Sequence, residues 1–195
     1  FSPEGGVYMS VILRPNVPAE RAVMLTPMAA VAAARAIEAL AEVRVEIKWV
    51  NDLFIRGKKV SGILSEASMD FESGQLAYAV IGMGINVSPM AFPDELVNVA
   101  TSIGNEWPGK VSPNRLIAGV CDNLLDLSGD LETAAFMDEY RARSNVIGKR
   151  IQVRRGDEQF PARAIAIDDA GGLVIETEDG TQTMRSGEIS VRLEN

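Results

Sequence analysis

Apolar and polar positions divide this chain into strand-like runs, one long Ala-rich stretch and a closing group of brief β runs. Val7 to Leu13 is apolar and rich in β-formers up to Arg14-Pro15, which predicts a largely buried strand. Pro18 to Glu20 offers a helix start. Arg21 to Glu42 then places Met24, Leu25, Met28, Val31, Ala32, Ala36, Ile37 and Leu40 near helical spacing, with Pro27 as a first helical position or a break. So much alanine suits a scaffold helix against which a sheet lies close. From Val43 to Val50, alternation predicts a strand with Val43, Val45, Ile47 and Trp49 on one face and Arg44, Glu46 and Lys48 on the other.

Leu53, Ile55, Val60, Ile63 and Leu64, with Ile47 and Trp49, read as strand interior around a hairpin turn at Arg56-Gly57-Lys58, where Gly57 is free to take a positive φ. Asp70 to Gly74 is a polar turn within Ser65 to Gln75, and Leu76 to Val87 is a strand carrying Gly82 and Gly84. Ser88 to Ser102, with Pro89, Pro93 and Asp94-Glu95, reads as a loop. Ser112 and Pro113 form an N-cap and first helical position ahead of a stripe of Leu116, Ile117, Val120, Cys121, Leu124, Leu125 and Leu127. Leu131 to Arg143 predicts a second helix. Near Gly148 the pattern changes: Ile151–Val153, Phe160–Ile167, Leu173–Thr177, Thr181–Met184 and Ile189–Leu193 are short β runs separated by Gly- and Asp-rich turns, the signature of a small barrel. The expected division is 1–146 and 147–195.

Composition narrows this little further. The chain has 195 residues, 47% hydrophobic and 24% charged, as ordinary globular proteins do. A net charge of −8 argues against a nucleic-acid footprint, which needs a basic face. No apolar run approaches the roughly 20 residues of a membrane helix. One cysteine, Cys121, excludes an internal disulfide and a cysteine zinc cluster, and its apolar setting predicts a buried, inert thiol. The absence of histidine removes the usual base of serine and cysteine triads. A reduced cytoplasmic setting is expected.

Candidate chemistry gathers between Lys48 and Glu66, KWVNDLFIRGKKVSGILSE. The hairpin presents Asp52, Asn51 and the Lys59 ammonium near one end of a sheet, and Gly62 leaves a gap where a ligand could approach the backbone. A lysine, an aspartate and bare strand backbone could together hold a carboxylate or phosphate with a divalent cation. On residue types alone ordinary hairpin chemistry is the favoured reading, since Asn-Asp is common in turns and basic tips are usually solvated. Gly82-Met83-Gly84 lacks the third glycine and following helix of a dinucleotide loop. It reads either as a strand packed closely or as the floor of a flat pocket ending at Asn86.

KWVNDL followed by GKKVSGILSE resembles the central motif of the biotin protein ligases, KWPND and then G-(K/R)-K-(V/L)-x-G-I-L-x-E. FSPEGGVYMSVILRP at 1–15, VIGMGINV at 80–87, Phe92-Pro93 and Ala100-Thr101-Ser102-Ile103 agree in order. The resemblance covers nearly the whole chain, more weakly beyond Ser112. Val50 stands where the family has proline, a change expected to loosen the turn into Asn51-Asp52. In the family a Gly- and Arg-rich loop, GRGRxGRxW, precedes FSP and covers biotin and the adenylate phosphates; the chain opening at Phe1 does not include it, nor a DNA-binding domain.

The resemblance implies an α+β fold, a class II synthetase-like mixed sheet backed by helices and followed by a small SH3-like β-barrel. It implies a biotin–[biotin carboxyl-carrier protein] ligase that uses ATP and Mg²⁺ to activate biotin, then transfers it to a lysine of a biotin carboxyl carrier protein domain. Lys59 and Asp52 are the implied catalytic pair. Lys59, Gly62, Ile63, Gly82 and Gly84 are the implied biotin contacts, and Asn51, Asn86 and Arg185 the ATP contacts. Asp52 either helps hold the metal or orients the incoming lysine, and Glu66 is structural. Arg185 stands ahead of Ser186-Gly187-Glu188-Ile189-Ser190, where the family has its closing G-E-(I/V)-S. The resemblance leaves room for a homodimer and gives no role to nucleic acid or membrane. Two alternatives stay open: a lipoate or other acyl ligase on the same fold, and a non-catalytic binding module.

Overall fold

Hairpin chemistry builds most of the first sheet. In the computed structural model, which describes residues 4–156, 158–185 and 190–193, the sheet comprises β1 (Gly6–Leu13), β2 (Glu46–Lys48), β3 (Asp52–Ile55), β4 (Lys58–Met69) and β5 (Leu76–Asn86). Their order is β1-β5-β4-β3-β2, and every neighbouring pair is antiparallel. Parallel pairing enters at the isolated bridges Ile47–Ser144 and Lys59–Ala100. The β3–β4 connection is Arg56-Gly57, with φ of 48° and 78°. Two consecutive positive φ values give the turn twist that suits a tight hairpin.

Ala19–Met24 forms a 3-10 segment that runs into α1 (Leu25–Glu38). Pro27 therefore sits in the first turn of α1, where its missing N–H costs no helical bond. Almost every residue of α1 is buried. A helix apolar all round needs partners on two sides. α1 has the sheet on one side and α3 (Pro113–Ser128) on the other, where a Cβ placed on Gly119 would lie 3.5 Å from the Ala36 Cβ. Ser112 caps α3, its hydroxyl accepting from the Arg115 amide, with Pro113 at the start. The shorter α2 (Ile103–Glu106) and α4 (Met137–Ala142) flank it in sequence.

An ionic knot ties the helices together. Glu139 accepts from Arg35 and Arg143, while Arg143 also reaches Glu38, and Glu38 accepts from the Val45 amide. Burial opposes ionisation of both carboxylates. The hydrogen bonds and charges of the arginines outweigh it and hold Glu38 and Glu139 below the ordinary carboxylate value.

The second sheet contains β6 (Arg150–Arg155), β7 (Glu158–Ile167), β8 (Leu173–Thr177), β9 (Gly180–Met184) and β10 (Ser190–Leu193) in the order β10-β6-β7-β8-β9. Over their described residues, the five expected runs are all strands. Among the described residues no pairing between β9 and β10 closes them into a barrel. Phe1-Ser2-Pro3 and Ser186 to Ile189, both part of the motif resemblance, lie outside the described residues.

Several local expectations change. β1 is not largely buried but alternates, with Val7 and Leu13 inward and Tyr8 and Ile12 exposed, because one face of the sheet is uncovered there. Leu64 is 65% exposed on that same face, not interior. The strand expected over 43–50 shrinks to three residues, although Val45, Ile47 and Trp49 still point inward. β4 runs on to Met69 through residues read as polar connection. The helix expected over 131–143 forms only from Met137, after Ala134 takes a φ of 52° that no α-helix accepts. Leu125 faces solvent, and the Cys121 thiol is free and half-buried.

Candidate active site

Register decides what meets on the open face. Lys48 pairs with Asp52, Asp52 with Gly62, Gly62 with Gly84, and Gly84 with Tyr8. Cross-strand partners share a face, so one row crosses all five strands with two adjacent glycines at its centre. A Cβ on Gly62 would lie 3.3 Å from the Lys59 Cε and Nζ and 3.6 Å from an Asp52 carboxylate oxygen. On Gly84 it would meet the Tyr8 ring at 3.3 Å. The glycines form a bare floor between an ion pair and an aromatic ring.

Lys59 reaches this face through an irregularity. Leu53 pairs with Ser61 but Phe54 pairs with Lys59, so Val60 is an extra residue in β4, a β-bulge. Regular alternation would place Lys59 with Ser61 and Ile63, both buried on the helix side. The bulge turns Lys59 over to the side of Gly62. Its ammonium lies 2.5 Å from Asp52 Oδ1, with the lysine side chain 41% and the aspartate 23% exposed. The pair is reachable by a ligand and partly screened by water.

The loop after β5 supplies the roof. The Lys59 amide donates to the Val99 carbonyl and the Thr101 amide to the Lys59 carbonyl, both at 2.8 Å. Asn86 donates to the Thr101 carbonyl at 2.9 Å, and the Thr101 hydroxyl donates to Glu106 at 2.6 Å. The result is a hollow of about 450 Å³ lined by Tyr8, Lys59 to Gly62, Gly84, Asn86, Phe92, Leu96, Val99 and Ala100. That volume suits a small organic ligand. A larger hollow of about 660 Å³ on the second sheet is lined by Glu158, Glu178 and Asp179 among others, with no cationic side chain among the described residues that line it.

The predicted residues separate into two groups. Lys59, Asp52, Gly62, Gly84 and Asn86 meet around the hollow. Gly82 lies on the same face one row away, paired with Leu64 and Ser10. The Ile63 side chain is buried in the core, so only its backbone is near. The Asn51 amide is taken by the Ile63 carbonyl at 2.8 Å. Arg185 is exposed after β9 and does not line the hollow. Tyr8 was not singled out, yet alternation with buried Val7 carried that signal. Leu96, Val99 and Ala100 gave no signal beyond an apolar loop. The turn that holds Asp52 is anchored despite Val50, whose carbonyl accepts from the buried Tyr140 hydroxyl at 2.8 Å. The Trp49–Val50 peptide is cis. No cluster of three or more His, Cys, Asp or Glu side chains suited to a metal occurs among the described residues.

A flat, glycine-floored hollow with an ammonium at one end fits a small acid and a nucleotide. A model described as Biotin/lipoate A/B protein ligase family matches residues 1–86, and one described as Biotin protein ligase C terminal domain matches residues 146–192. This chain belongs to the biotin protein ligase family. It is 37% identical to the bifunctional ligase/repressor BirA of Bacillus subtilis over 97% of this chain and 60% of that one. It is 29% identical to the biotin--[acetyl-CoA-carboxylase] ligase of Paracoccus denitrificans, over 96% of this chain and 80% of that one. The ligase-family chain thus spans about 60% of the length of its Bacillus relatives. The fold matches the apo biotin protein ligase of Aquifex aeolicus with a TM-score of 0.84 at 24% identity, covering 98% of this chain and 84% of that one. The Aquifex ligase in complex with biotin and ATP matches with a TM-score of 0.79, over 98% and 80%.

Proposed function

We propose that the hollow activates biotin with ATP and passes the biotinyl group to a lysine of a biotin carboxyl carrier protein domain. The observation that carries this reading is the Lys59 ammonium, held by Asp52 beside the floor of Gly62 and Gly84. A biotin carboxylate oxygen attacking the ATP α-phosphorus forms a P–O bond as pyrophosphate leaves. The two reactants are both anionic, and an ammonium between them offsets their repulsion. Lys59 turns from Asp52 to the substrate carboxylate and then to the acyl phosphate. Phe92, Leu96, Val99 and Ala100 enclose the base and keep water from the mixed anhydride. The acceptor amine then attacks the acyl carbon and AMP leaves, while Asp52, released from Lys59, accepts the amine proton.

Among the described residues no cluster of three or more metal-binding side chains lies at the hollow. Mg²⁺ enters as the counter-ion of ATP, a substrate, as expected where phosphates supply most of its ligands. Asp52 is the carboxylate beside the hollow that would add a ligand to that ion once Lys59 has turned to the substrate. Among the acids that fit this chemistry, biotin is preferred to lipoate because the match over residues 146–192 and the complex of the Aquifex enzyme point to it, while the match over residues 1–86 names both acids.

The test uses the complete protein that carries this chain. Lys59→Ala should lower biotin-dependent pyrophosphate release by on the order of a hundredfold, the scale of one lost charge-stabilising donor. Asp52→Asn should slow transfer to the carrier domain more than adenylate formation. Unchanged pyrophosphate release in Lys59→Ala removes Lys59 from the reaction, and lipoate outcompeting biotin reassigns the substrate.

A further inference from the structure

We propose that the second sheet aims the catalytic aspartate: the Gly171 carbonyl holds Trp49, and Trp49 fixes the turn from which Asp52 projects. Trp49 and Gly171 are then positioning residues. The inference rests on the function proposed above for Asp52.

Residues 49–51 lie between the end of β2 at Lys48 and the start of β3 at Asp52, outside the regular strand ladder. Three ties hold them. Asn51 exchanges bonds with Ile63, the Ile63 amide donating to the Asn51 carbonyl at 3.0 Å and the Asn51 amide to the Ile63 carbonyl. The Tyr140 hydroxyl donates to Val50. The third comes from the second sheet: the buried indole N–H of Trp49 donates to the Gly171 carbonyl at 2.8 Å.

Gly171 is itself fixed. It lies in the β7–β8 turn at a φ of 76°. Within that turn the Asp168 carboxylate accepts from the Ala170 and Gly172 amides at 3.0 and 2.7 Å, an Asx-type lock. A Cβ on Gly171 would lie 3.5 Å from Met24 and 3.7 Å from Pro27, so the turn packs against the start of α1. Arg141 fastens the same turn to α4 through the Ile167 carbonyl at 2.9 Å and through Asp169. The carbonyl is therefore a stiff reference point. A buried indole N–H that loses its partner is costly, so the turn follows wherever that carbonyl sits. A bond that only stapled the two sheets would affect stability alone; this one ends three residues from Asp52.

The test takes Trp49→Phe, which keeps the ring and removes the N–H, and Gly171→Ala, which strains the turn from the other side. Both are made in the complete protein with native Asp52 and with Asp52→Asn. Each should lower the rate of transfer to the carrier domain tenfold to a hundredfold, on the order expected for a small misplacement of a reacting group. In the Asp52→Asn background neither should lower it further, because both act through the missing carboxylate. Hydrogen exchange at the Ile63 amide should quicken at least about tenfold, while the Lys59 amide keeps its protection. Equal losses in both backgrounds, or unchanged exchange at Ile63 with only a lower unfolding midpoint, overturns the proposal. If the unsubstituted protein forms no adenylate, the ligase reading fails and the exchange measurement alone decides whether Gly171 controls the turn.

Discussion

At the scale of single residues, Gly62 gives the sharpest prediction. Gly62→Ala puts a methyl 3.3 Å from the Lys59 ammonium, a flexible group that must swing aside. Substrate activation should fall about tenfold, while unfolding free energy changes by under about 1 kcal/mol, since alanine is better tolerated in a strand than glycine. Steady-state pyrophosphate release and urea titration check the two halves. Lys59, Asp52, Gly62 and Gly84 were legible in the sequence because their spacing matches a known motif. Asn51 and Ile63 were legible as neighbours but not by direction: a side chain's face depends on register, and register is a property of pairs of strands. Arg185 was placed by its nearness to a terminal motif and stands exposed on the second sheet.

At the scale of elements, the bulge at Val60 is the feature that hydrophobic patterning could not supply. An unbroken β4 predicts Lys59 facing inward with Ser61 and Ile63. Deleting Val60 puts Lys59 directly before Ser61 in a regular ladder, so the ammonium keeps the Gly62 face while a fully buried valine is lost. The variant should keep most adenylate formation and lose a few kcal/mol of stability, on the order of one buried aliphatic side chain. Circular dichroism on heating, beside an adenylate assay, measures both. Tyr140→Phe is milder, removing one buried hydrogen bond to Val50, and should cost about 1 kcal/mol. The helix stripe from Leu116 to Leu127 was readable because capping and periodicity agree. The stretch from Leu131 was misread because Ala134 leaves helical geometry without a glycine or proline to announce it.

At the scale of the whole molecule, two sheets and their order of elements could be read from turns and alternation, but the ties between distant segments could not. The arginine-carboxylate knot joins positions about a hundred residues apart and makes a prediction about acid. Glu38 and Glu139 bind protons less readily folded than unfolded, so their contribution is complete above the ordinary value of 4.5 and is lost as pH falls below it through their lowered folded values. Urea midpoints should drop between pH 7 and the acid side of that value, and Glu139→Gln should flatten part of the drop. The roof segment is joined to the strand beneath it by the same kind of main-chain bonding that holds the sheet. Peeling it back breaks the two bonds that the Lys59 amide and carbonyl make with Val99 and Thr101. On the proposed function, uncovering the hollow would therefore also loosen the main chain that carries its ammonium.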